Sequence, residues 1–198
     1  MRRFGRRRFL EASVAAVCVG CASNDAPTLR PPSTGSLPAG ASDAVLPGRD
    51  TSVEVGTLDE VRSEAADVPL YVPEAKAWLV VLDDDEAASL AEVADLALRP
   101  GLEHGLLALY EKCPHLGCRV PYCESSAWFE CACHGAHFTR AGELRAGPGP
   151  RGLDPLPVLI DGDLVAIGVA ERIEGAPAGT VVIEQPAAGP HCFDPGSA

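Results

Sequence analysis

Residues 113–118 read Cys-Pro-His-Leu-Gly-Cys, and residues 131–134 read Cys-Ala-Cys-His. Together Cys113, His115, Cys131 and His134 form a Cys-x-His…Cys-x-x-His set. Two thiolates and two imidazoles on a pair of short loops make a metal site, and the fold must bring those loops together. Each loop contributes one sulfur and one nitrogen, so the sulfurs can bind one iron and the nitrogens another. Two other readings use the same residues. A structural zinc ion also takes two Cys and two His, but zinc fingers usually pair Cys-x₂₋₄-Cys with His-x₃₋₅-His. A four-cysteine site on Cys113, Cys118, Cys131 and Cys133 leaves two histidines at ligand spacing unexplained.

The order of ligands resembles that of the Rieske iron–sulfur proteins, in whose [2Fe–2S] centre two His replace two Cys on one iron. The resemblance runs over roughly residues 50–170. His134-Gly135 followed by Phe138 is similar to the family's C-H-G-x-x-[YF] run. Gly147-Pro148-Gly149-Pro150-Arg151 is similar to its "Pro loop", which covers the cluster from a third side. The resemblance implies one cluster, held by Cys113, His115, Cys131 and His134. It also implies a Cys118–Cys133 disulfide between the cluster loops, as in the branch that includes cytochrome bc-type quinol oxidoreductases. In that branch the His edges meet the quinol, with His134 the contact and His115 its partner.

Ala136 and Phe138 depart from the pattern. High-potential relatives carry Ser and Tyr there, whose hydroxyls donate hydrogen bonds to a bridging sulfide and a ligand thiolate. Donors favour the more negative, reduced cluster. Their absence predicts a lower potential, still raised by the His ligands into the roughly −150 to +300 mV range of such centres.

From about residue 51 the pattern is one of short strands: Val53–Val55, Trp78–Leu82, Leu106–Tyr110, Trp128–Cys131, Val158–Ile160 and Leu164–Val169. Asp161-Gly162 marks a hairpin. Two helices interrupt. Leu58 to about Ala66 follows a Thr57 cap, and Glu86 to Leu98 is stopped by Pro100-Gly101. The expected fold is all-β: an antiparallel β-sandwich of Rieske type with an inserted cluster-binding subdomain and one or two short helices. The expected division is 1–21 signal, 22–50 flexible linker, 51–170 cluster domain with its subdomain at about 111–152, and 171–198 a C-terminal extension. Val181–Ile183 is expected as an edge strand, and the Pro- and Gly-rich end as a wrapped or partly mobile tail.

Arg6-Arg7-Arg8-Phe9-Leu10 fits a twin-arginine export signal. The apolar run that follows is too short to span a ~30 Å hydrocarbon core. Val19-Gly20-Cys21 resembles a lipoprotein processing site, with Cys21 the lipidation candidate, although Cys18 stands where Leu is usual. Residues 22–50 are rich in Pro, Ser, Ala, Gly and Thr with almost no large apolar side chains, and read as a tether. These features place the protein beyond the cytoplasmic membrane, periplasmic or on its outer face, where disulfides persist.

The formal net charge is −12, although the first twenty residues hold five Arg against one Glu. The body is therefore strongly acidic. That argues against nucleic acid and suits a basic redox partner. Cys123 and Cys192 are left over in an oxidising space and are a candidate second disulfide. His104, His137 and His191 read as surface residues, with His137 near the cluster but not bound to it.

The expected role is electron transfer as the iron–sulfur subunit of a quinol–cytochrome c oxidoreductase, a redox subunit rather than a stand-alone enzyme. Its partners would be a quinol or redox-enzyme donor, a cytochrome acceptor and a membrane-bound complex. The competing readings are the small Rieske subunit of an arsenite oxidase-like enzyme and a free-standing carrier.

Overall fold

The computed structural model describes residues 51–194. The expected export signal, the Cys21 lipidation site and the linker lie outside them. Among the described residues no helix is long and apolar enough to cross a membrane.

Every paired strand is antiparallel. Three sheets form. The first joins β1 (Ser52–Thr57), β11 (Leu164–Gly168) and β10 (Val158–Asp161), in that order. The second runs β2 (Leu70–Val72), β3 (Ala77–Val81), β4 (Leu106–Tyr110), β9 (Pro155–Leu156). The third runs β5 (Tyr122–Cys123), β6 (Trp128–Cys131), β7 (Ala136–Phe138), β8 (Leu144–Ala146), and lies in sequence between β4 and β9. It is an insertion in an all-β fold, and the candidate ligands Cys131 and His134 lie on it.

The apolar runs of β3 and β4 follow from burial on both faces. Side chains alternate across a strand. Leu79, Leu106 and Ala108 join one core, with Val158, Val165 and Ile167 of the first sheet. Val80, Leu107 and Leu109 join the other, with Phe129, Phe138 and the candidate ligands Cys113 and Cys131. The middle sheet therefore has the first sheet on one side and the ligand-bearing unit on the other. Trp78 fastens the latter by donating its indole N–H to the Val120 carbonyl at 2.9 Å.

Helix α1 (Leu58–Glu64) starts in a capping box of Thr57 and Glu60. Helix α2 (Asp84–Val93) starts in another, of Asp83 and Glu86. The expected helix to Leu98 is shorter. It stops at Ala94, because Asp95 turns its carboxylate onto the Ala97 N–H and caps a separate 3₁₀ turn, Leu96–Leu98. Pro100 then sits inside the first turn of a third helix, α3 (Arg99–Leu102), where its missing N–H costs nothing. Among the described residues the helices are few and short, as expected, with the four-residue α3 a third beyond the expected one or two. The hairpin turn is Gly162-Asp163, since Asp161 pairs with Leu164, and Gly162 takes φ 64°.

Val181–Ile183 is not a strand. Its backbone groups are taken by side chains: the Val182 N–H donates to Glu143 Oε1 at 2.6 Å, and the Ile183 carbonyl accepts from Arg145 at 2.6 Å. Further along, Gln185 accepts from the Arg140 N–H at 2.7 Å, and the Ala188 N–H donates to the Ser126 carbonyl at 2.8 Å. The tail wraps the third sheet over its described length.

Candidate metal centre

Cys113 and His115 lie on the loop that leaves β4. Its base is fixed by Glu111, which is buried, accepts from Tyr71 Oη at 2.7 Å and pairs with Arg119 at 3.0 Å. Lys112 bridges to Arg119, closing the loop on itself. Inside it, the Cys113 N–H donates to the Cys118 carbonyl at 2.8 Å, and the Gly117 N–H to the Cys113 carbonyl at 2.9 Å. Cys131 and His134 flank the β6–β7 connection. Cys131 pairs with Ala136, and the Gly135 N–H returns to the Cys131 carbonyl at 3.0 Å.

The donors sort by depth. Cys113 and Cys131 are the cysteines outside disulfides among the described residues, and both are buried. His115 and His134 are half-buried. Their rings meet edge-on with centroids 4.8 Å apart. Leu116, beside His115, is 70% exposed and forms an apolar lip next to the imidazoles. Cys118 and Cys133 form a disulfide between the loops, with Cα atoms 6.6 Å apart. A second disulfide joins Cys123 to Cys192 of the tail.

A third segment closes on these loops. Gly147 follows β8 with φ 77°, and a Cβ placed there would lie 2.0 Å from the Gly135 carbonyl oxygen. The Gly147–Arg151 segment therefore packs backbone to backbone against the residue after His134. Arg151 holds the far end of that segment through a bidentate pair with Asp154 at 2.8 and 3.0 Å.

The donor set suits a two-iron cluster better than one tetrahedral ion. Among the described residues, the groups of three donor atoms within 4.8 Å of one another are Cys118–Cys131–Cys133, Cys123–Glu130–Cys192 and Glu130–His137–His191. None takes three of Cys113, His115, Cys131 and His134, as a single tetrahedral ion would require. Instead two free sulfurs sit inside and two rings sit outside, and each pair would hold one iron of such a cluster. Burial pushes the Cys113 thiol up to about 11, opposed by the backbone N–H groups of His115 and Leu116 and reinforced by the nearby Cys131 sulfur. Metal binding there must displace the Cys113 proton.

The profile of the Rieske [2Fe-2S] domain family matches residues 51–158. The chain belongs to that family. As a Rieske protein it transfers electrons through one [2Fe–2S] cluster. Its curated relatives include the cytochrome b6-f complex iron-sulfur subunit of Synechococcus sp. (strain JA-3-3Ab), 28% identical over 166 residues, which are 83% of this chain and 84% of that one. The ubiquinol-cytochrome c reductase iron-sulfur subunit of Rhodobacter capsulatus is 42% identical over 67 residues, 31% of this chain and 34% of that one. The chain thus spans most of the first relative and about a third of the second. Among solved structures, the plasma membrane Rieske protein PetC3 of Synechocystis PCC 6803 aligns with TM-score 0.39 and 22% identity, over 58% of this chain and 97% of that one.

Ala136 and Phe138 are both fully buried on β7, and neither side chain has a hydrogen to donate. His137 between them is also fully buried, not at the surface as expected from the sequence. It lies opposite Glu130 in the β6–β7 ladder. Glu130 carried no signal in the sequence. It is a single acid in the buried strand Trp128–Cys131, and its partners other than Ser126 come from 61 to 63 residues away.

Proposed function

We propose that this Rieske protein is the iron–sulfur subunit of a quinol-oxidising, bc-type complex and passes electrons from quinol to a cytochrome. The Cys118–Cys133 disulfide across the ligand loops carries the proposal, and the names of the relatives support it. When bound, the cluster supplies a one-electron couple. The chain's own residues do the rest. The buried Cys113 and Cys131 hold the inner side away from water. His115 and His134 stand half-buried at the edge, where an imidazole nitrogen not engaged with metal can take or give a proton. An exposed Leu116 beside them offers apolar contact to a quinol ring. The disulfide and the Gly147–Arg151 segment limit the movement of both loops.

The remaining parts of the reading concern delivery and docking. The twin-arginine segment would export the folded protein, Cys21 would anchor it by lipid on the outer face of the membrane, and residues 22–50 would tether the head. At roughly 5–6 Å × √n such a tether reaches about 30 Å, enough to move between a donor and an acceptor site. The acidic body suits a basic acceptor cytochrome.

Purification from native membranes in mild detergent tests the proposal. Recovery with a b-type cytochrome, and reduction of the cluster by added quinol, are expected. Recovery with a molybdopterin protein, or alone, would refute it.

A further inference from the structure

On the side of β6 away from the cluster ligands, three side chains converge that the electron-transfer role does not use. Glu130 is fully buried. Its Oε1 lies 2.7 Å from His191 Nδ1 and accepts from Ser126 Oγ at 2.6 Å. Its Oε2 accepts the N–H groups of Cys192 and Phe193 at 2.8 and 3.0 Å. The His137 ring lies 4.4 Å from the His191 ring, centroid to centroid. One donor atom from each of Glu130, His137 and His191 falls within 4.8 Å of the others.

A tail-fastening ion pair explains Glu130 and His191 but not His137. That imidazole is fully buried, yet neither Nδ1 nor Nε2 has a hydrogen-bond partner. The Phe193 backbone lies close enough to bear on the ring, but makes no hydrogen bond to either nitrogen. Leaving both nitrogens of a buried ring unmatched is costly, so such a ring ordinarily marks an absent partner. The donors on hand suit a particular one. Two imidazoles and a carboxylate are the three-ligand set of many zinc sites, which leave a fourth position for water.

We propose that Glu130, His137 and His191 form a second metal site that takes a divalent transition ion of the Zn²⁺ type. Bonds of about 2.0–2.1 Å at near-tetrahedral angles set neighbouring ligand atoms about 3.3 Å apart. His191 and Glu130 would therefore separate by about half an ångström from their present 2.7 Å contact, exchanging one hydrogen bond for two metal bonds. The tail can allow this. His191 is its exposed member, while the Cys123–Cys192 disulfide keeps the adjoining backbone beside β6. The remaining requirement is a neutral imidazole. Burial lowers the pKa of His137, which keeps that ring unprotonated near neutral pH. The assignment does not depend on which complex the protein serves.

The site is tested on the cluster-loaded protein with both disulfides intact, so that the cluster ligands are already occupied. The protein is dialysed against Zn²⁺ alone, desalted and analysed for zinc and iron. One zinc per two irons is expected in the wild type. His191→Ala should lose that zinc while retaining its iron and an unchanged EPR spectrum. His191 lies on the exposed tail, so the variant is not a core substitution. A rise in melting temperature on adding zinc, present in the wild type and lost in His191→Ala, is the second readout. Absence of stoichiometric zinc in the wild type, or equal uptake by His191→Ala, would overturn the assignment.

Discussion

Replacing Gly147 by alanine measures how firmly the third segment is pressed onto the cluster loops. The added Cβ would lie 2.0 Å from the Gly135 oxygen, 2.6 Å from the Gly135 carbonyl carbon and 2.7 Å from the Ala136 Cα. All three are backbone atoms, so no side chain can rotate out of the way. Two costs add. An L-residue at positive φ costs roughly 1–2 kcal/mol, and overpacking a tight contact costs about 1–3 kcal/mol more. Gly117 is the control. It has the same φ of 77° and nothing within 4 Å of an added Cβ, so Gly117→Ala incurs the first cost alone. At about 2–4 °C per kcal/mol for a domain of this size, Gly147→Ala should melt at least a few degrees below Gly117→Ala. It should also lose iron faster, because Gly135 follows His134 directly and any retreat of that backbone moves the imidazole. Thermal unfolding and iron content of the two loaded variants decide the matter. Equal melting temperatures and equal iron retention would refute the reasoning.

Three further outcomes are expected. Ala136→Ser and Phe138→Tyr each introduce a hydroxyl at a buried β7 position; a donor worth about 1–2 kcal/mol more to the reduced cluster raises the potential by roughly 40–90 mV, using 59 mV per 1.4 kcal/mol for one electron. Protein-film voltammetry showing no rise in either variant would contradict this. Removing the Cys118–Cys133 disulfide by a double Ala substitution opens a crosslink of sequence separation 15, nominally worth ~3 kcal/mol. The loss should be smaller in the cluster-loaded protein, where the metal joins the same loops, and urea titrations of loaded and metal-free protein giving equal losses would argue against shared crosslinking. His137 is held below its ordinary pKa by burial, so below about pH 6.5 the unfolded chain takes up a proton that the folded chain does not. Stability should therefore fall as pH drops from 7.5 to 5.5 in metal-free buffer, and His137→Gln should flatten that slope; identical slopes in urea unfolding would exclude the cause.

Metal chemistry made the centre readable, because a cluster demands fixed residue types at fixed spacing. Cys113, His115, Cys131 and His134 stand out for that reason, whatever surrounds them. Strands β4 and β6 were legible to the residue, since β4 is a continuous run of apolar and aromatic side chains and β6 opens on the buried pair Trp128 and Phe129. Other features depended on long-range partners. β7 is only Ala136–Phe138, and its middle residue is a histidine whose burial depends on Glu130 and the tail. Val181–Ile183 has strand-forming side chains, but Glu143 and Arg145 claim its backbone groups first. Asp95 ended α2 through a hydrogen bond to Ala97, a local competition that an apolar periodicity does not register. Glu130 was invisible for the converse reason. Nothing nearby in sequence marks one acid in Trp-Phe-Glu-Cys as buried, since its carboxylate is matched by Ser126 and by His191, Cys192 and Phe193 of the tail rather than within the strand.

The Glu130–tail contact also bears on the order in which the chain is made. Synthesis runs from the N-terminus, so the strand that presents Cys131 emerges well before the residues that neutralise and cover its neighbour. Until His191, Cys192 and Phe193 arrive, burying Glu130 would strand a charge without most of its donors, and β6 has reason to stay open to water. Closing the β6–β7 hairpin around the ligand loops would carry this cost until those tail residues have been made.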